Sequence, residues 1–144
     1  MAEIVEALAT RLGFLTLRLH RRVKREADRL LADLDLATGQ MGVLEALRAE
    51  PGLSQIELGE MLEIDRTSIG VTVAKLEAAG LVARSADATD GRAYVLALTA
   101  EGQRLAAEAS EKARAAQALV LQALTEAEQE TLIRLLRKVA LPGR

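Results

Sequence analysis

The chain has 144 residues, half of them apolar and 28% charged, with a formal net charge of −2; this is the make-up of a folded domain, or of a small module with helices that need a partner, and not of a disordered chain. With no Cys and a single His, His20, disulfides, thiol redox sensing, zinc fingers and multi-histidine metal centres are excluded, and neither a cofactor nor a metal is expected. Near-neutral charge is no footprint of a nucleic-acid binder, and two aromatic residues, Phe14 and Tyr94, are too few for a single-strand stacking platform, so a nucleic-acid partner would be duplex DNA.

Glu3 and Glu6 stand where a secretory signal carries basic residues, so the expected location is cytoplasmic. From Val5, apolar residues recur at Leu8, Leu12, Leu15 and Leu19, which predicts one long amphipathic helix over 5–31. Arg18, Arg22, Arg25 and Arg29 repeat along it at helical spacing, with Arg21 and Lys24 beside them. Three readings of this basic stripe stand: a solvated face partly paired with Glu26 and Asp28, a phosphate contact, or the receptor of an anionic effector.

Residues 33–35 and the Thr38-Gly39 pair interrupt the pattern. Thr38 is placed to cap a short helix carrying Met41, Leu44 and Leu47, which Pro51-Gly52 ends. Ser54-Gln55-Ile56-Glu57 is a capping box, in which serine oxygen and glutamate carboxylate satisfy each other's backbone N–H groups. A third helix therefore starts at Ser54 and ends near Glu63. Asp65 is placed to cap a fourth over 66–79, leaving a turn of two or three residues between the two.

Gly80 supplies a left-handed helix end with Leu81 as its apolar contact. Residues 81–85 and 93–98 read as strands joined by a polar loop over 86–92, with Tyr94, Leu96 and Leu98 on one face. Thr99 caps a helix reaching about residue 123. The longest uncharged stretch, 115–125, runs over its end and falls far short of the roughly 18 apolar residues of a membrane span, so no membrane partner is expected. Thr125-Glu126-Ala127-Glu128 is a second capping box, opening a last helix with Leu132, Leu135, Leu136 and Val139 on one stripe.

The fold class expected is mainly α with a small β-hairpin wing: a winged helix-turn-helix over 36–98, flanked by dimerisation helices over 1–35 and 99–144. The flanking helices are apolar on one face with little else in the chain to cover them, which points to a homodimer. Two helices at a tight turn followed by a hairpin form a unit whose second helix enters the roughly 12 Å major groove.

Leu53-Ser54-Gln55-Ile56-Glu57-Leu58 with Ile64-Asp65-Arg66-Thr67-Ser68-Ile69 resembles the two central helices of the MarR family. Lys75-Leu76-Glu77-Ala78-Ala79-Gly80-Leu81-Val82-Ala83-Arg84, then Asp90-Gly91-Arg92 and Leu98-Thr99-Ala100-Glu101-Gly102, resembles its helix end, wing and return. The resemblance covers 53–102 by motif and the flanking helices by layout. It implies a dimeric transcriptional regulator, usually a repressor, whose grip on DNA is changed by a small, often phenolic or anionic, molecule; the two-fold symmetry of a homodimer adds an inverted-repeat operator, and a small aromatic carboxylate or related anion is the expected effector. A winged-helix protein-interaction module without DNA binding is the other reading. An enzyme is not expected, since the chain has no nucleophile motif and no glycine-rich phosphate loop.

On the recognition helix Arg66, Thr67, Ser68, Thr72 and Lys75 are the candidates for base edges and phosphates, with Lys75 equally a complement to the helix dipole. Gly70 and Val71 depart from the family, which commonly carries a hydroxyl and then a basic or polar residue there; close approach of the backbone to DNA, or a role for Val71 in reading a thymine methyl, would account for this. Arg92 corresponds to the family's wing arginine that reaches the minor groove, with Asp90 as its brace. Arg84 has two readings, phosphate contact or effector cleft. Between Ser54 and Arg92 four basic residues face seven acidic ones, a balance of −3 (4 − 7), so DNA affinity must rest on placement. By layout, Phe14, Arg18, His20, Met41 and Leu44 are candidates for the effector cleft; His20 equally fits dimer packing or plain exposure.

Overall fold

In the computed structural model residues 2–86 and 94–141 are described. In chain order they form α1 (Ala2–Leu8), α2 (Leu12–Leu31), a 3₁₀ turn (Ala32–Leu34), α3 (Thr38–Ala49), α4 (Gln55–Leu62), α5 (Arg66–Ala78), β1 (Val82–Ala86), β2 (Tyr94–Leu98), α6 (Ala100–Leu121) and α7 (Glu126–Ala140). They gather into two compact units, 27–114 and 1–26 with 115–144.

The core of the 27–114 unit follows from apolar spacing. Val43, Leu44 and Leu47 of α3, Leu58 of α4, Ile69, Val73 and Leu76 of α5, and Leu96 of β2 are fully enclosed together with Leu31. The steps of four and three on α5 place its three buried residues on one stripe. Enclosing each such side chain stabilises the fold by about 1.5–3 kcal/mol relative to exposure.

The start of α3 differs from the expected cap. Thr38 is the first helical residue, not the cap, and the preceding Ala37 has no side-chain oxygen to offer. Asp28 of α2 substitutes: its Oδ1 accepts from the Thr38 N–H at 3.1 Å and from the Thr38 hydroxyl, while Gln40 Oε1 accepts from the Ala37 N–H at 2.9 Å. The α4 capping box forms as expected, with the Ser54 N–H donating to Glu57 Oε2 at 2.7 Å and the Glu57 N–H to Ser54 Oγ at 3.2 Å.

Glu63 closes α4 in the left-handed conformation, φ 52°. The turn then runs back so closely that a Cβ on Gly59 would stand 3.1 Å from the Ile64 carbonyl oxygen, which sets how tightly α4 meets α5. Gly80, φ 71°, ends α5 with its own N–H donating to the Glu77 carbonyl and the Leu81 N–H to the Leu76 carbonyl.

β1 and β2 pair antiparallel, with Val82 opposite Leu98 and Arg84 opposite Leu96. Leu53 adds a bridge that its sequence context did not signal: the Leu96 N–H donates to the Leu53 carbonyl at 2.9 Å and the Gly52 N–H to the Leu96 carbonyl at 3.0 Å. A one-residue bridge has no alternation by which to be recognised. Of the face expected for β2, Leu96 is buried and Leu98 half-buried, while Tyr94 is 59% exposed.

Thr99 fastens the return. Its hydroxyl donates to the Gly80 carbonyl at 2.7 Å and accepts from the Gly102 N–H at 3.0 Å. A Cβ at position 102 would fall 2.0 Å from the Leu81 carbonyl oxygen, so only glycine fits there.

In the unit of 1–26 with 115–144, the single helix expected over 5–31 is divided: α1 ends at Leu8 and α2 begins at Leu12. Thr10, within the break, and Gly13, just after it, are weak helix formers, and the Thr16 hydroxyl turns back onto the Leu12 and Gly13 carbonyls. Ala116, Val120 and Leu121 are buried. The second capping box forms, the Thr125 N–H donating to Glu128 Oε2 at 2.8 Å. Yet α7 has no buried residue, and Ile4, Val5, Leu12, Leu15, Leu17, Leu135 and Val139 are exposed. Among the described residues no helix is long and apolar enough to cross a membrane.

Candidate nucleic-acid interface

Asp65 sets the geometry at the start of α5. Its Oδ1 accepts from the Ser68 N–H at 2.9 Å, and the hydrogen bonds from Ser68 hold its carboxyl below the usual aspartate range. The carboxylate thus satisfies an otherwise orphaned helix N–H and complements the positive end of the helix dipole. Arg66, Thr67 and Ser68 follow, all exposed on the first turn.

One turn on, Val71 is 51% exposed and Lys75 is exposed, whereas Gly70 is half-buried. Thr72 is half-buried and its hydroxyl donates to the Ser68 carbonyl at 2.9 Å, which leaves only its acceptor lone pairs for an outside partner.

Arg84, read from the sequence as a phosphate contact or part of the effector cleft, is held within the chain by α5 and α4. Its Nε donates to Glu77 Oε1 at 3.1 Å and its Nη2 to Glu77 Oε2 at 3.0 Å, a bidentate pair between β1 and α5. Nη2 also donates to Gln55 Oε1 at 3.3 Å, and the guanidinium carbon stands 6.0 Å from the centre of the Tyr94 ring. The Arg84 hydrogen bonds lower the Glu77 pKa below the ordinary glutamate value, and those to Glu77 raise that of Arg84. Within this structure Arg84 braces the hairpin against both helices of the helix-turn-helix. Glu77 and Gln55 were absent from the sequence-based candidates; the one signal was that Glu77 and Arg84 share the same motif stretch.

Asp90 and Arg92 lie outside the described residues. The effector-cleft candidates divide between the units. Met41 is half-buried and Leu44 fully enclosed in the 27–114 core, so Leu44 offers no surface to a ligand as the core stands. In the other unit Arg18 lies over the Phe14 ring, 5.5 Å from its centre, and His20 is exposed. Arg18, Arg21, Arg22, Lys24, Arg25 and Arg29 are all exposed on α2, with Arg25 3.7 Å from Glu26. Among the described residues no cluster of His, Cys, Asp and Glu could hold a metal ion.

Residues 32–93 match the model of the MarR family. Over 128 residues the chain is 36% identical to the HTH-type transcriptional repressor Rv2887 of Mycobacterium tuberculosis, covering 89% of this chain and 92% of the relative. The chain belongs to the MarR family. This MarR-family chain is also similar to the repressor CouR bound to a 23-mer DNA duplex, with a TM-score of 0.86 and 27% identity over 94% of this chain and 96% of that one. The crystal structure of Rv2887 with salicylic acid is similar with a TM-score of 0.76 and 36% identity, covering 89% and 95% of the two chains. In MarR-family terms α4 and α5 are the helix-turn-helix and β1 with β2 the wing.

Proposed function

We propose that the chain is a homodimeric repressor that binds duplex DNA at an inverted-repeat operator and is released by a small aromatic carboxylate. The observation that carries the DNA reading is the exposed first turn of α5. Arg66, Thr67 and Ser68 stand there exposed on a helix capped by Asp65, opposite the stripe of Ile69, Val73 and Leu76 that enters the core. CouR with its DNA duplex and Rv2887 with salicylic acid support the two halves of the reading.

Arg66, Thr67, Ser68 and Lys75 contact base edges and phosphates, and Arg92, with Asp90, reaches the minor groove from the wing. The exposed apolar residues of α1, α2 and α7 are covered by a second copy, which places two recognition helices about one DNA turn, roughly 34 Å, apart. Half-sites are then about ten base pairs apart. With the DNA module at net −3 between Ser54 and Arg92 (4 basic, 7 acidic), affinity rests on a few placed cations, and each phosphate they neutralise adds to its fall with salt. The same acidic balance is what favours the other reading, a protein-interaction module.

A gel-shift assay against the duplex upstream of the protein's own gene separates them. Retention at low salt that weakens as salt rises is expected. No retention of that duplex or of a library of genomic fragments would overturn the repressor reading.

A further inference from the structure

We propose that Gln55 is a DNA-contacting residue and that Gly70 is present to leave room for its amide; this rests on the DNA-binding reading above. Gln55 is the first residue of α4, held in place by the Ser54 capping box. Its Oε1 accepts from Arg84 Nη2 at 3.3 Å. A guanidinium only donates, so this bond fixes which way the amide points: carbonyl toward Arg84, NH2 toward α5.

On α5 the NH2 meets Gly70, where a Cβ would stand 3.2 Å from Gln55 Nε2. Gly70 lies in the interior of α5, where glycine is among the poorest helix formers. Its φ is not in the left-handed region, so the backbone itself does not call for glycine. Space is the remaining reason. Gly70 shares a stripe of α5 with Arg66 and Glu77, at steps of four and seven, and Glu77 anchors the arginine that holds Gln55.

Two N–H donors are thereby presented beside the recognition helix, next to exposed Val71. Among the described residues Nε2 has no acceptor. The acceptors that complete it are oxygens of DNA, on a phosphate or on a base edge. At the position where the family commonly carries a hydroxyl residue this chain has Gly70, and the donors beside it come from α4.

The test is fluorescence anisotropy with two duplexes, the region upstream of the protein's gene and a shuffled version, alongside thermal melting. Wild type, Gln55→Ala, Gly70→Ala and the double variant are compared. Gln55→Ala and Gly70→Ala should each weaken binding by about tenfold, while Gly70→Ala melts no lower than wild type, since alanine favours the helix and a flexible amide can move aside. The double variant should bind no more weakly than Gln55→Ala. Unchanged binding by Gln55→Ala would overturn the proposal. So would a Gly70→Ala loss that persists undiminished in the Gln55→Ala background, because DNA and not Gln55 would then occupy the space over residue 70. Gln55→Glu keeps the acceptor for Arg84 and loses the two donors, so wild-type binding by that variant would also overturn it, reducing Gln55 to a brace. An equal loss on both duplexes assigns the contact to phosphate, and a loss confined to the upstream duplex assigns it to a base edge. Failure of wild type to bind either duplex would be seen before any variant and would remove the DNA-binding reading together with the proposal.

Discussion

Arg84 of β1 and Glu77 of α5 meet through two parallel hydrogen bonds, Nε to Oε1 at 3.1 Å and Nη2 to Oε2 at 3.0 Å, so the wing is tied to the recognition helix by a planar fork. Both side chains are about one-third exposed, and solvent keeps the pair's contribution to stability at or below about 1 kcal/mol. Its larger effect is on the position of the wing. Arg84→Lys, which keeps the charge and loses the fork, should weaken operator binding by more than it lowers stability. Equal small losses in both would show that the wing is held by the strand ladder alone.

The same pair has a pH signature. Glu77 titrates below the ordinary glutamate value because Arg84 donates to it, so its stabilisation is complete above that ordinary value and is lost as pH falls through the lowered one. Urea denaturation of wild type and Glu77→Gln should therefore show a difference that is constant near neutrality and shrinks in acid. A difference that grows in acid would mean that the sign is wrong.

Ser54→Ala removes the acceptor for the Glu57 N–H at the start of α4. A loss of about 1 kcal/mol in unfolding free energy is expected, with the urea m-value unchanged.

Gly102→Ala places a methyl 2.0 Å from the Leu81 carbonyl oxygen, a backbone atom that cannot turn aside. The clash outweighs the roughly 1 kcal/mol of helix propensity gained, and a net loss of about 2 kcal/mol is expected. An unchanged melting temperature would show that α6 can shift off the end of α5 without strain.

Arg92→Ala should weaken operator binding by about 1–3 kcal/mol while the dimer and its melting temperature stay as in wild type. A matching fall in melting temperature would reassign Arg92 to the fold.

Salicylate-like and cinnamate-like acids should weaken the DNA complex by about 5- to 150-fold at saturation, the range of typical coupling energies. Such a ligand acts only by binding the DNA-incompatible state more tightly. Arg18→Ala should blunt the response. Release by peroxide or zinc with no response to any acid would overturn the effector class, in a chain with no thiol and one histidine.

Elements whose signals are local were legible in the amino-acid order. Capping boxes at Ser54 and Thr125, the Asp65 cap and the Gly80 helix end depend on side chains within four residues of the backbone groups they satisfy, so spacing alone reveals them. The order of helices and hairpin followed from these and from apolar periodicity, and with the motifs over 53–102 it carried the family. Contacts that join residues distant in the chain were not legible there. Asp28 capping α3 ten residues on, Leu53 bridging to Leu96, Arg84 reaching Gln55 across twenty-nine positions, and Gly102 lying against Leu81 have no local pattern, because the partners meet only once the core has closed. The break between α1 and α2 has a local signal that apolar spacing runs across: Thr10 lies within it and Gly13 just after it, both weak helix formers by up to about 1 kcal/mol each.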